Sequence, residues 1–166
     1  MNRLRTLFLM ALLLPGLNAG FAQEVKVLDF EAFAAHLAQE SDTLYLYNFW
    51  ATWCKPCVQE LPYFEAAQAK YADQKVQIVY VSLDFISHLD AAVKPFVAKK
   101  QLQAPVWLLD APNYNDWLDR ISPDWSGSIP ASLIAMPSQE IYQFREQSFT
   151  AEELNAWLEE NLAADS

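Results

Sequence analysis

The sequence is poor in the residues that build disulfide-stapled domains and metal sites. Its 166 residues include only two cysteines, Cys54 and Cys57, and only two histidines, His36 and His88. A zinc site needs about four ligands, and these histidines are not spaced as in a zinc finger, so no metal is expected. A disulfide between Cys54 and Cys57 closes a very short loop and constrains the unfolded chain little. The pair is therefore predicted to be neither a metal site nor a structural staple.

Basic residues are also scarce. The chain has 11 lysines and arginines against 21 aspartates and glutamates, which gives a net charge of −10. Nucleic-acid binding depends on clusters of Lys and Arg, so the acidic balance argues against a nucleic-acid partner. Many acidic residues lie in the last helical segment, as is typical of a solvated helix face.

Long apolar runs are absent after the first residues of the chain. The single such run, LFLMALLL at residues 7–14, follows two arginines and precedes small residues that end at Ala22. This pattern predicts a secretory signal peptide over residues 1–22 and a mature domain over residues 23–166. The run is short for a bilayer span of about 20 residues, and a retained membrane anchor is the alternative. A periplasmic or otherwise exported protein, soluble after cleavage, is expected.

The mature part alternates between strand-like and helix-like segments. The runs TLYLYNF at 43–49 and VQIVYVSL at 76–83 are apolar on both faces, as in buried parallel strands. The predicted order is β-α-β-α-β-α-β-α-β-β-α, and the last two strands form a hairpin around residues 137–139. Such alternation predicts an α/β fold with a mixed, mostly parallel central sheet flanked by helices. Asp29 and Thr150 are predicted helix N-caps.

The two cysteines lie at a position in this order that favours reactivity. Cys54 directly follows a buried strand and begins a helix, where strand ends form sites and free N–H groups favour a thiolate. Cys57 lies one helical turn further on, so its sulfur can reach that of Cys54. This arrangement suits thiol–disulfide exchange, with Cys54 as the exposed attacking thiol and the more buried Cys57 as the resolving thiol.

Residues 48–62, NFWATWCKPCVQELP, resemble the active-site segment of the thioredoxin superfamily. They are most similar to its TlpA/ResA-like branch, exported thiol–disulfide oxidoreductases that include cytochrome c maturation proteins. The resemblance implies a thioredoxin fold with an extra helix and strand, roughly residues 89–109, before a cis-proline. It also implies that Glu60 lies near the thiols, where a partly buried carboxylate with a raised pKa handles the proton of Cys57. A solvated helix glutamate is the alternative.

A second motif, GSIPASL at residues 127–133, supports the same resemblance. The resemblance implies that Pro130 is a cis-proline facing the dithiol, which turns the Ile129 backbone toward an extended substrate. An ordinary trans proline at a strand start is the alternative. Gly127 is the only glycine after residue 22 and indicates a tight turn. Family members often have threonine after this proline, where this chain has Ala131.

If the chain is a non-enzymatic binding module, an apolar rim around the dithiol is formed by Trp50, Trp53, Tyr63, Trp125 and Ile129. Most aromatic side chains are expected in the core, and Trp53 and Trp125 are expected at the surface. Lys55 is expected to be exposed between the two cysteines. Its charge either stabilises the Cys54 thiolate or only keeps this end of the helix solvated. The predicted catalytic residues are Cys54, Cys57, Glu60 and Pro130. The predicted substrate-binding residues are Trp53, Lys55, Pro56, Trp125, Ile129 and Pro130.

The predicted function is a monomeric reductase of disulfides in exported proteins, kept reduced by a membrane electron donor, with no cofactor. Lys55, Pro56 and Glu60 resemble the reducing branch, and apocytochrome c is one candidate substrate. Residues 110–125 depart from a dedicated cytochrome c maturation protein, which leaves the partner open. A peroxidase-like redoxin is one alternative, although its arrangement uses a single cysteine without a CxxC partner. A non-enzymatic binding module on a thioredoxin scaffold is the other.

Overall fold

A single mixed sheet organises residues 23–163, the part of the chain that the computed structural model describes. The predicted signal peptide lies outside these residues. The strands are β1 (Val25–Leu28), β2 (Leu44–Trp50), β3 (Val76–Ser82), β4 (Val106–Leu109), β5 (Ala131–Met136) and β6 (Ile141–Arg145). The helices are α1 (Phe30–Leu37), α2 (Lys55–Lys70), α3 (Lys94–Lys100), α4 (Leu118–Ile121) and α5 (Ala151–Ala163). None of these helices is long and apolar enough to cross a membrane.

The strand order is β1-β4-β3-β2-β5-β6. The first four strands in this order are parallel, whereas β5 runs antiparallel to β2 and β6 antiparallel to β5. In the β2–β5 ladder, Asn48 faces Ser132 and Phe49 faces Ala131. The predicted fold, a mostly parallel sheet that ends in an antiparallel hairpin, is confirmed.

The sheet buries an apolar cluster on each face because alternate strand residues point to opposite sides. On one face, Leu44, Leu46 and Trp50 of β2 join buried residues of α2, α3 and α5. On the other face, Tyr47 and Phe49 join buried residues of α1 and the α4 region. The carboxyl ends of β2 and β3 are therefore fixed from both sides, and the CxxC segment leaves the sheet there.

Most predicted helix and strand boundaries agree with the structure within two residues, and two local differences have physical causes. The predicted helix over residues 89–100 is a π-helical turn at Leu89–Val93 that leads into α3, next to Pro95, which has no N–H to donate. Strand β6 begins at Ile141 because Glu140 adopts a left-handed conformation, with φ 56°. Asp29 caps α1 through a 2.8 Å bond from the Ala32 amide, as predicted.

Candidate active site

The two cysteines are joined in a disulfide at the N-terminus of α2, with their Cα atoms 5.3 Å apart. Cys54 is the N-cap residue, and its Sγ accepts a hydrogen bond from the Cys57 amide at 3.3 Å. The Cys54 sulfur therefore lies where the unpaired N–H groups and the helix dipole favour negative charge. Cys54 is only 5% exposed and Cys57 is fully buried. Cys54 is thus the more accessible thiol, but it is less exposed than predicted.

The cis-proline loop covers Cys54. The Ile129–Pro130 peptide bond is cis, which confirms that prediction. The Ile129 carbonyl oxygen lies 3.8 Å from the Cys54 Sγ, so the loop faces the reactive sulfur directly. Gly127 has φ 94°, a conformation that favours glycine, and it forms the tight turn expected before Pro130.

Trp125 is buried, which corrects its predicted place on the surface. Only 4% of the residue is exposed, and its ring packs against Phe49, Trp117 and Phe144 with centroids 4.7 to 5.7 Å away. Its indole N–H donates to the Ser128 carbonyl at 2.9 Å. The indole satisfies its polar group within the loop while its apolar surface fills the core. Trp125 therefore supports the cis-proline loop from beneath and does not form its outer surface.

Trp50 is also a core residue and not part of an apolar rim. It is fully buried, with Phe96 and Tyr80 as ring neighbours. Trp53 is 66% exposed and Tyr63 is 40% exposed, so these two aromatic residues do lie at the surface. The exposed fraction of Trp53 confirms its predicted location next to Cys54.

Glu146 holds the cis-proline loop from the outside. It follows β6, and one of its carboxylate oxygens accepts from the Ser126 amide at 2.8 Å, while the other accepts from the Ser128 amide at 3.2 Å. The Ser126 hydroxyl also donates to this carboxylate. Burial alone would raise the pKa of Glu146, but the hydrogen bonds from Ser126 and Ser128 together lower it below its usual value.

Glu60 is buried on the same face of α2 as Cys57. It is 2% exposed, and the buried face of the helix continues through Leu61, Phe64 and Ala67. Burial raises the pKa of Glu60 to about 7, although hydrogen bonds from the Phe149 amide and the Asn48 side chain oppose the rise. The expected burial of Glu60 is confirmed, and a solvated helix glutamate is excluded. A carboxyl group with this pKa can gain or lose a proton near neutral pH.

The Glu60 carboxyl is held by one backbone and one side-chain donor. Its Oε2 accepts from the Phe149 amide and its Oε1 from the Asn48 Nδ2, both at 2.9 Å. The same Nδ2 lies 3.3 Å from the Ser132 Oγ on the neighbouring strand. Asn48 and Ser132 are fully buried. The three side chains form a polar network inside an otherwise apolar core.

A third carboxylate, Asp84, fixes the turn before Cys54. It lies just beyond β3 and accepts from the Thr52 amide at 2.9 Å, the Thr52 hydroxyl at 2.6 Å and the Ser82 hydroxyl at 2.9 Å. Asp84 is 2% exposed. The Leu83 amide extends this attachment by donating to the Trp50 carbonyl at 2.8 Å. The loop that carries Trp53 is therefore tied to the end of β3.

An open groove of about 460 Å³ begins beside the dithiol and runs along α2. Glu60 and Phe149 line its floor, and the exposed side chains of Pro56 and Tyr63 line one wall. Lys55 is exposed at the first position of α2, as predicted. The groove connects the buried Glu60 carboxyl with the surface around the CxxC segment.

Several residues of the site were not predicted from the sequence. A polar residue inside an otherwise apolar strand was a usable signal for Asn48. A carboxylate at the carboxyl end of a buried strand was a usable signal for Asp84. Nothing local indicated Glu146, because its partners lie 18 and 20 residues earlier in the chain. The structure brings these residues together around the predicted pair of cysteines.

The chain is similar to known redoxins and thiol-disulfide oxidoreductases. The redoxin family model matches residues 27–119. A thiol-disulfide oxidoreductase ResA of Oceanobacillus iheyensis is 33% identical over 111 residues, 67% of this chain and 53% of the relative. ResA of Bacillus anthracis is 44% identical over 59 residues, 36% of this chain and 32% of the relative. The matched segments thus span about a third to a half of these relatives.

Solved structures share the fold. StoA from Bacillus subtilis has a TM-score of 0.55 at 24% identity and covers 72% of this chain and 84% of its own. A thioredoxin-related protein from Neisseria meningitidis serogroup B has a TM-score of 0.58 at 22% identity, with coverages of 76% and 88%. The thioredoxin fold and the similarity to the TlpA/ResA-like branch are thereby confirmed, and the chain belongs to the redoxin family.

Proposed function

We propose that this protein is a thiol–disulfide oxidoreductase that reduces disulfides of exported proteins through Cys54 and Cys57. One observation carries the proposal: the two cysteines form a disulfide at the start of α2, with the Cys54 sulfur 3.8 Å from the Ile129 carbonyl of the cis-proline loop. This is a redox-active pair placed against a backbone edge to which a substrate can bind. The matched relatives named thiol-disulfide oxidoreductases support the same activity.

The first step is attack by the reduced enzyme on a substrate disulfide. The Cys54 thiolate displaces one substrate sulfur and forms a mixed disulfide with the other. The displaced sulfur leaves as a thiolate and takes up a proton. The N-cap position of Cys54 stabilises the attacking thiolate through the helix N-terminus.

The second step releases the substrate. Glu60 accepts the proton of the Cys57 thiol, and the Cys57 thiolate attacks the Cys54 sulfur. The second substrate sulfur leaves as a thiolate and takes up the proton that Glu60 accepted, and the Cys54–Cys57 disulfide forms. The substrate gains two electrons from the enzyme and two protons, one from Cys57 by way of Glu60 and one from the solvent. A reduced dithiol protein in the membrane then returns the enzyme to its dithiol form.

Substrate contact is assigned to the surface around Cys54. Trp53, Lys55 and Pro56 offer exposed side chains, and the backbone of Ile129 beside Pro130 offers a place for an extended peptide. Trp125 has no direct contact role in this proposal because its ring is buried.

The proposed location is the periplasm or another exported location, and the proposed partners are exported proteins and a membrane electron donor. Residues 1–22 act as a signal peptide, and residues 23–166 work as a monomer in the periplasm. The substrates are disulfide-containing exported proteins, with apocytochrome c as one candidate. The negative net charge of −10 disfavours nucleic acid as a partner.

The test is reduction of insulin disulfides by the wild type, by Cys54→Ala and by Cys57→Ala. The wild type should reduce insulin, Cys54→Ala should be inactive, and Cys57→Ala should accumulate a mixed disulfide that thiol reagents release. Equal rates for the wild type and Cys54→Ala would overturn the enzyme assignment and favour the binding module. Consumption of hydroperoxide in place of insulin disulfides would favour the peroxidase-like redoxin.

The direction of electron transfer is tested by redox titration against glutathione. A reductase should have a midpoint well below that of glutathione, near the values of reducing thioredoxins. A midpoint near that of a strong oxidant would reverse the assigned direction while leaving the dithiol chemistry intact.

A further inference from the structure

The Asn48 side chain contacts the Glu60 carboxyl through its Nδ2, whereas its Oδ1 accepts no hydrogen bond within residues 23–163. The Nδ2 donates to Glu60 Oε1 at 2.9 Å and lies 3.3 Å from Ser132 Oγ. The Oδ1 is buried and has no hydrogen-bond partner within residues 23–163. A buried carbonyl oxygen without a partner costs free energy, so it needs a physical explanation.

The chemistry of Glu60 offers that explanation. A charged carboxylate only accepts hydrogen bonds, and the Asn48 Nδ2 supplies one donor. A protonated carboxyl carries an O–H that needs an acceptor. A half-turn of the Asn48 amide about its Cβ–Cγ bond would place Oδ1 where Nδ2 now lies. There it could accept from the neutral Glu60 and from the Ser132 hydroxyl, which can donate as well as accept.

We propose that Asn48 is a positioning residue for Glu60, and that its amide serves the carboxyl in both protonation states by turning over. This inference rests on the proposed role of Glu60 as the proton acceptor of Cys57. It explains why a side chain with both a donor and an acceptor occupies a fully buried strand position. An apolar residue at position 48 could neither donate to the charged Glu60 nor accept from the neutral one.

Of the two donors to Glu60, the Asn48 side-chain amide is the one that can exchange its N–H for an oxygen acceptor by rotating. The other direct donor to Glu60 is the Phe149 backbone amide, which cannot reverse its polarity. The Tyr80 hydroxyl donates to the Leu61 carbonyl, and burial raises the pKa of Tyr80, so it stays neutral when Glu60 titrates. The groups that interact with Glu60 are the Asn48 side chain on β2, the Phe149 amide before α5 and, electrostatically, Tyr80 on β3. Ser132 on β5 contacts Asn48.

The first measurement is the titration of Glu60 in the oxidised protein, followed by NMR of the labelled glutamate carboxyl carbon. Asn48→Leu removes the donor to the charged form, so the Glu60 pKa should rise by about one pH unit. Asn48→Asp places a second carboxyl beside Glu60, so the pair should titrate in two separated steps. Ser132→Ala is the matched control, since it alters the network without touching Glu60, and it should shift the pKa by less than half as much.

Wild-type titration in both Asn48 variants would overturn the proposal. Asn48→Asp is nearly isosteric, so it decides the matter if circular dichroism shows that Asn48→Leu does not fold. Two separated steps in this variant support the proposal, and a single wild-type step contradicts it.

The second measurement separates this inference from the proposed function. The resolving step is followed by stopped flow as release of a reduced substrate from the mixed disulfide, between pH 5 and 9. Its pH midpoint should move with the Glu60 pKa in each variant. If the Glu60 pKa moves but the midpoint stays, Asn48 still positions Glu60, and it is the proton-acceptor role of Glu60 that fails.

Discussion

Two glutamates of the site, Glu60 on α2 and Glu146 beside the cis-proline loop, have pKa values that their surroundings shift in opposite directions. Glu60 is 2% exposed and accepts hydrogen bonds from two N–H donors in the core. Burial raises its pKa to about 7. Glu146 is half-buried at the edge of the sheet, and the hydrogen bonds from Ser126 and Ser128 lower its pKa despite some burial.

This difference shows how one residue type serves two purposes in one site. Where desolvation outweighs the hydrogen bonds, the pKa of the carboxyl rises toward neutral pH, so the group can gain or lose a proton there. Where the hydrogen bonds outweigh desolvation, the carboxylate stays charged and acts as a fixed acceptor. Glu60 is therefore suited to proton transfer, and Glu146 is suited to holding the cis-proline loop.

The largest expected effect is on the chemistry at Glu60. Glu60→Gln removes the proton acceptor, so the resolving step should slow on the order of 10²-fold to 10³-fold at pH 7. The mixed disulfide with a model substrate should then accumulate, as measured by quenched-flow and mass analysis. Glu65→Gln is the matched control on the same helix, because its carboxylate accepts backbone N–H groups of Gln103 and Ala104 away from the dithiol. A wild-type resolving rate in Glu60→Gln would remove Glu60 from the mechanism.

The next effect concerns stability. The raised pKa of Glu60 means that the folded state binds a proton more tightly than the unfolded state, so its contribution is most favourable at low pH. Stability should fall as pH rises from about 4.5 to about 7, by roughly 3 kcal/mol from this residue. Glu60→Gln should lack this decline. Urea unfolding of the oxidised protein at pH 5 and pH 8 measures it, and parallel pH profiles for the two proteins would contradict it.

A smaller effect is expected on substrate binding at the cis-proline loop. Glu146→Gln weakens the charge-assisted bonds to Ser126 and Ser128, each worth about 1 kcal/mol or more, so KM for insulin should rise about five-fold. The kcat and the reaction with a small aromatic disulfide should change little, because the dithiol is not touched. Glu140→Gln, at the opposite end of β6, is the control. A fall in kcat with unchanged KM would show that Glu146 does not act through the loop.

The smallest expected effect is the pH dependence of the stability that Glu146 contributes through its hydrogen bonds to Ser126 and Ser128. The folded pKa of Glu146 is lowered, so its contribution is present above the unfolded value and is lost as pH falls through the folded value. The stability difference between the wild type and Glu146→Gln should therefore shrink below about pH 4.5, opposite in sign to the Glu60 profile. A difference that stays constant from pH 3 to pH 7 would show that the charge is not what holds the loop.

Local sequence patterns predicted most of the fold and the centre of the site. The apolar runs at residues 43–49 and 76–83 correspond to β2 and β3, and the CxxC segment follows β2 as expected. The resemblance of the GSIPASL segment to thioredoxin-like proteins predicted a cis Pro130, and the Ile129–Pro130 bond is cis. These features depend on residues close together in the chain, so a pattern of a few residues is sufficient to detect them.

Trp125 shows where such reasoning fails. Trp125 was predicted to lie at the surface near the dithiol, but three aromatic rings from other elements enclose it. Its neighbours Phe49 and Phe144 are distant in the chain, and no local pattern encodes them. Burial of a single aromatic residue is decided by which elements pack over it.

The sequence by itself determined the order of strands and helices and the place of Cys54 and Cys57 between a buried strand and a helix, because short-range periodicity encodes them. The cis Pro130 was predicted from the family resemblance of its motif. Only the tertiary structure decided how the carboxylates act. The surroundings of Glu60, Asp84 and Glu146 come from segments up to 89 residues away. Desolvation and hydrogen bonding set the properties of a carboxyl group, and both depend on which distant groups the fold brings against it.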